Sequence, residues 1–153
     1  MIEQISKLRF HRRPSPVLPE HRPLYKIGQL LLILQLASHG KKSRLARLHL
    51  FNWALKSKER QAQLLSAARS KSLTVEAWGF DPALAIAIRF GIAEELIEES
   101  STGYRLTLYG ADFTIELMGD PEVLAEEKKF LTQVGRGITE AMVERVASGW
   151  EKI

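Results

Sequence analysis

Two stretches in the first third of the chain are apolar on almost every side. Residues 25–38, Y-K-I-G-Q-L-L-L-I-L-Q-L-A-S, predict a helix ended by His39-Gly40. Residues 45–57 read L-A-R-L-H-L-F-N-W-A-L-K-S, with Leu48, Leu50, Phe51, Trp53 and Leu55 crowded around His49 and Asn52. A helix with one buried face needs an apolar residue only every third or fourth position. Each stretch is therefore either enclosed on all sides or divided between its own core and a partner. For the second stretch, His49, Phe51, Asn52 and Trp53 are the candidate partner surface, with Leu45, Leu48 and Leu55 turned inward. Complete enclosure is the alternative.

The rest of the chain alternates between helical and β patterns. Lys41 and Lys42 fall in a turn, and Ser43 is expected to cap a helix running to about Lys56. Ser57 caps the next, K-E-R-Q-A-Q-L-L-S-A-A-R, although Arg60 stands where a capping box would place Glu or Gln. L-T-V-E-A-W at 73–78 alternates like a short strand. Asp81-Pro82, a cap followed by proline at the first helical position, starts a helix reaching about Glu95. Two alternating runs then flank S-S-T-G at 100–103, a β-hairpin pattern. Gly110 opens A-D-F-T-I-E-L-M, a short helix stopped by Gly119. Asp120-Pro121 starts another, reaching about Val134, and Gly135-Arg136-Gly137 separates it from a last helix over 138–150.

Helices followed by a helix that runs straight into a hairpin give the order of a winged helix. The expected fold is mainly α with a small β-hairpin (α+β). It comprises an extended, Pro-rich basic arm over 1–24, a winged-helix-like domain over 25–119 and a C-terminal helical pair over 120–153. An unrelated small α+β domain is the alternative. The arm holds four of the six prolines, and proline removes amide donors and turns its predecessor away from helix. Such an arm lies on another chain or on its own domain.

Charge sharpens this picture. Residues 1–75 hold 15 Lys/Arg and 3 Asp/Glu, whereas residues 76–153 hold 7 and 15, so net charges of +12 and −8 make up the overall +4. The split suits partner surfaces of opposite sign, or halves that attract each other. The absence of cysteine removes thiol catalysis, disulfides and cysteine-ligated zinc. The first residues, M-I-E-Q-I-S-K-L-R-F, lack the apolar core of a signal peptide, and L-L-L-I-L at 30–34 is too short to span a bilayer. The expectation is a soluble cytoplasmic protein with no membrane contact.

No catalytic constellation stands out, and no cofactor or metal is expected. Gly135-Arg136-Gly137 lacks the Lys-Ser/Thr of a phosphate loop. His49 would need a second ligand one turn on, and that position is Trp53. Glu94/Glu95 and Glu98/Glu99 are adjacent pairs, which do not face each other on a helix. Nor does the helix entering the hairpin suit a DNA groove: P-A-L-A-I-A-I-R-F-G-I-A-E-E carries one base, Arg89, and ends in two acids. Lys41, Lys42, Arg44 and Arg47 around the first turn remain candidates for phosphate contact without base reading, or form a solvated face. On the DNA side the alternative function is a winged-helix transcriptional regulator.

R-L-A-R-L-H-L-F-N-W-A-L-K-S, the preceding I-G-Q-L-L-L-I-L-Q-L, the following A-W-G-F-D-P-A-L-A-I-A-I-R-F-G-I-A-E-E-L-I and the hairpin Y-R-L-T-L-Y-G-A-D-F carry a resemblance. Over roughly Tyr25 to Phe113 the chain resembles the small middle component of three-component ABC-ATPase systems, the Lamassu-type bacterial anti-phage defence operons. The resemblance implies a non-enzymatic adaptor whose partners are an SMC-like ABC ATPase and an effector, often a nuclease. It also implies that any DNA contact is made through the complex.

Overall fold

In the computed structural model, which describes residues 23–150, the most apolar stretch of the chain lies at the centre. Helix α1, Pro23–Leu36, buries Leu30, Leu31, Leu32, Ile33 and Leu34 in succession, so no face of the helix meets solvent over those five residues. Each such side chain contributes roughly 1.5–3 kcal/mol by leaving water. The neighbours that enclose α1 are spread over residues 39–134. The helix starts at Pro23, inside the range expected for the arm, because proline suits the first helical position. The remainder of the expected arm, residues 1–22, lies outside the described residues.

After a 3-10 turn at His39–Lys41 come β1 (Lys42–Ser43), α2 (Leu45–Ala54), α3 (Lys58–Ser70) and α4 (Pro82–Ala93). The hairpin β2 (Ile97–Ser100) and β3 (Gly103–Leu106) follows, then α5 (Leu108–Met118), α6 (Ala125–Val134) and α7 (Glu140–Trp150). The three strands form one antiparallel sheet in the order β1-β3-β2, with Ser43 opposite Tyr104 and Glu99 opposite Tyr104 on the other side. The protein is thus mainly α with a small antiparallel sheet, and α4 leads directly into the hairpin. Gly103 lets β1 approach: a Cβ there would lie 2.3 Å from the carbonyl oxygen of Ser43.

The caps read from the sequence hold at two helices. Ser57 Oγ accepts from the Arg60 amide (3.1 Å) and Asp81 Oδ1 from the Ala83 amide (2.9 Å). Four expectations are corrected. Ser43 does not cap α2: it pairs in the sheet, and its hydroxyl donates to the Arg44 carbonyl. The 73–78 segment is not a strand, since no strand lies alongside it. It is irregular, and Val75 and Trp78, three positions apart, pack inward. Thr107 caps α5 by accepting from the Gly110 amide at 2.8 Å, so that helix begins before Gly110. Finally, Asp120 closes a local turn onto the Glu122 amide (3.0 Å), and Leu124 takes a left-handed conformation (φ 51°), so α6 starts only at Ala125.

Phe130, Leu131 and Val134 from α6, Ile138, and Met142 and Val143 from α7 belong to the same buried cluster as α1, α2 and α4. The division expected at residue 119 is therefore one of chain order, not of packing.

Candidate functional site

A buried polar chain ties α1, α2 and α4 together. Lys26 Nζ donates to Asn52 Oδ1 at 2.6 Å, and Asn52 Nδ2 donates to Asp81 Oδ2 at 2.9 Å. Lys56 Nζ reaches the same oxygen at 3.0 Å, while Lys26 Nζ lies 3.8 Å from it. Partial burial alone would raise the Asp81 pKa. The hydrogen bonds from Asn52, Lys56 and the Ala83 amide outweigh it and hold the carboxyl well below the usual range. The Asp81 amide donates to His49 Nδ1 at 3.4 Å, and the imidazole packs at 4.7 Å from the ring of Phe80. Burial, only partly opposed by Asp81, lowers the His49 pKa. Asn52 is therefore occupied inside the molecule, and His49 is buried with Nδ1 engaged and Nε2 without a hydrogen-bond partner.

Phe51 is 0% exposed. The expected partner surface on α2 is corrected accordingly, because Phe51 is core, and His49 and Asn52 serve the Asp81 network. Trp53 alone of the four keeps an outer edge. It is half-buried against the core, with the Arg60 guanidinium 4.8 Å from its ring centre and Arg60 Nη1 donating to its carbonyl (3.1 Å).

The phosphate candidates separate in the same way. Lys41, Lys42 and Arg44 are exposed, but the Arg44 amide donates to Glu140 Oε2 at 3.0 Å, which brings a carboxylate into the cluster. Arg47 is 2% exposed and points inward. Its Nε donates to the Ile138 carbonyl and Nη1 to Ser38 Oγ, both at 2.8 Å, Nη2 donates to the Ala37 carbonyl, and its charge sits 4.8 Å from the Phe51 ring centre. Burial lowers its pKa to about 10, with Glu140 opposing the shift. Arg47 is corrected from a phosphate contact to a structural cation. The i, i+3 spacing with Arg44 does not put the two on one open face, because α7 and the turn before it cover Arg47.

Reading α2 for a partner surface overlooks α4. Leu84, Ala87, Ile88 and Gly91 fill its inner face. At 100° per residue, Pro82, Ile86, Arg89 and Ala93 lie opposite, flanked by Phe90 and Ile92. All six are exposed, Ile86 by 49% and Phe90 by 40%. Five of these six outward residues are apolar, and the helix runs on into Glu94, Glu95, Glu98 and Glu99. The surplus of apolar positions in P-A-L-A-I-A-I-R-F-G-I-A was the available signal. An apolar helix face of this kind marks a protein contact more readily than a phosphate contact.

Among the described residues no group of three or more His, Asp or Glu is placed to hold a metal, and no helix is long and apolar enough to cross a membrane. No family model, curated protein or solved structure matches this chain.

Proposed function

We propose that this chain is a non-enzymatic adaptor subunit of an SMC-like ABC-ATPase anti-phage defence complex. It docks on the ATPase and helps hold or restrain an effector, often a nuclease in such systems. The observation that carries the reading is the outer face of α4. The helix that leads into the hairpin offers Ile86, Phe90, Ile92 and Ala93 with one base, and ends in carboxylates. A duplex would meet repulsion there, whereas a protein surface would bury apolar area. The sequence resemblance supplies the identity of the partners. The regulator reading has less support, since Arg47 is internal and Glu140 stands beside Arg44.

Co-expression with an SMC-like ATPase encoded beside this chain is the test. The two should co-purify, and Ile86→Glu with Phe90→Glu should reduce recovery of the complex more than tenfold while the isolated variant still melts cooperatively. A footprint on a defined DNA sequence by the chain alone would overturn the adaptor reading.

A further inference from the structure

The exposed apolar surface of α4 continues onto α5 and is set among acids. Thr107, which caps α5, donates its hydroxyl to the Glu95 carbonyl at 2.6 Å and its amide to the Leu96 carbonyl at 3.1 Å. The end of α4 and the first turn of α5 therefore meet. At 100° per residue Leu108, Asp112 and Ile115 share one side of α5. All three are exposed, Leu108 by 90% and Ile115 by 60%.

Residues 82–118 hold six acids and two bases. One of the bases, Arg105, is taken by Glu98 at 2.6 Å. Glu95, Asp112 and Glu116 are exposed and make no ion pair among the described residues. Helix α5 carries no Lys or Arg. Open apolar side chains bordered by unpaired charge of one sign suit a partner that brings apolar area and the opposite charge together.

That charge selects the occupant. Nucleic acid and anionic lipid would be repelled. A second copy docking by the same face would set carboxylate against carboxylate. The basic turn of a second copy, Lys41, Lys42 and Arg44, has the right sign, but it offers Leu45 as its exposed large apolar residue and has Glu140 beside Arg44.

We propose that α4 and the start of α5 take an amphipathic helix of the protein partner, with an apolar stripe bordered by Lys and Arg. The stripe covers Ile86, Phe90 and Leu108, and the bases meet Glu95 and Asp112. A helix laid by its apolar face on a helical surface is a recurrent mode of recognition, and the charges fix its orientation. Ile86 lies about 14 Å along the axis from Glu95, so about 18 residues of helix, roughly 27 Å, span the face and the junction. This deepens the reading of α4 as protein-facing and rests on it.

The probes are three labelled 18-residue peptides: Leu along one helical face with Lys elsewhere, the same pattern with Glu for Lys, and the Leu/Lys composition scrambled. Fluorescence anisotropy with the full chain should show the patterned Leu/Lys peptide binding at least tenfold tighter than the other two. Ile86→Ser with Leu108→Ser, both at exposed positions, should weaken it at least tenfold, and so should Glu95→Lys with Asp112→Lys. Glu76→Lys with Glu144→Lys, an equal charge change at exposed sites elsewhere, should weaken it less than threefold. Thermal melts confirm that each variant is folded. Equal binding of the patterned and scrambled peptides, or equal loss in the two charge-reversed variants, would overturn the proposal. So would a dimer of the chain alone that is abolished by Lys41→Glu with Lys42→Glu, since the face would then belong to a second copy. Co-purification with the ATPase is measured separately. A complex that depends on Ile86 and Phe90, beside a chain that ignores the patterned peptide, removes the cationic helix alone. Peptide binding without any complex removes the adaptor reading alone.

Discussion

Replacing Arg47 by alanine separates a structural cation from a phosphate ligand. The guanidinium donates to the carbonyls of Ala37 and Ile138 and to Ser38 Oγ, and all of this lies in the interior. Each acceptor left without a donor costs about 1–3 kcal/mol. The lost contact of the guanidinium with the Phe51 ring adds to this, and release from burying a charge offsets part of it. The expected net loss is about 2–4 kcal/mol, from the same bounds. For a chain of this length each kcal/mol lowers the midpoint by about 2–4 °C, so the thermal transition should fall by roughly 5–15 °C. Near-UV circular dichroism during heating reads the transition. Arg44→Ala, at an exposed position, should stay within about 0.5 kcal/mol of the parent. If Arg47→Ala melts with the parent, or loses DNA affinity without losing stability, the internal placement of Arg47 is wrong.

Phe51→Ala should destabilise the chain by about 3–5 kcal/mol, as expected for a fully enclosed aromatic ring, and an unchanged denaturant midpoint would return Phe51 to the surface. Gly110→Ala should cost more than about 2 kcal/mol, because its Cβ would lie 1.8 Å from the Leu96 carbonyl oxygen; urea unfolding checks this, and a neutral variant would refute the close approach. Asp81 has a folded pKa below its ordinary 3.8, so it contributes stability above that pH and loses it as pH falls further. Asp81→Asn should therefore flatten the acid limb of the stability–pH curve, and an unchanged limb would count against the network. His49 has a folded pKa below 6.5, so protonation opposes folding and stability should decline as pH falls through 6.5. The decline should be absent in His49→Gln when melts are compared across that window.

The sequence announces an element well where the signal is local. Ser57 and Asp81-Pro82 cap helices through atoms two or three residues away, and S-S-T-G closes a hairpin between neighbours. It announces poorly what distant chain decides. Asp120-Pro121 has the same chemistry as Asp81-Pro82, yet Asn52 and Lys56 brace Asp81 while Leu124 interrupts the helix after Asp120. Arg47 looks like a surface base because its acceptor, the Ile138 carbonyl, is 91 residues away. L-T-V-E-A-W has strand alternation but no strand beside it. The excess apolar content of α2 and α4 was legible, but the face each left open was not: α2 is almost wholly enclosed, whereas α4 keeps apolar residues outside.

The two indoles that fasten the irregular segment before α4 also make the molecule an optical gauge of itself. Trp78 donates to the Ala46 carbonyl and Trp150 to the Glu76 carbonyl, and the rings meet edge to face at 4.7 Å. At that separation their electronic transitions couple, so detachment of α7 would alter the near-ultraviolet spectrum. Trp53, the third tryptophan, sits apart beneath Arg60 and reports on α2. Unlabelled protein therefore carries separate signals for the end of the chain and for its middle, and the order in which they change on heating gives the order in which the fold comes apart.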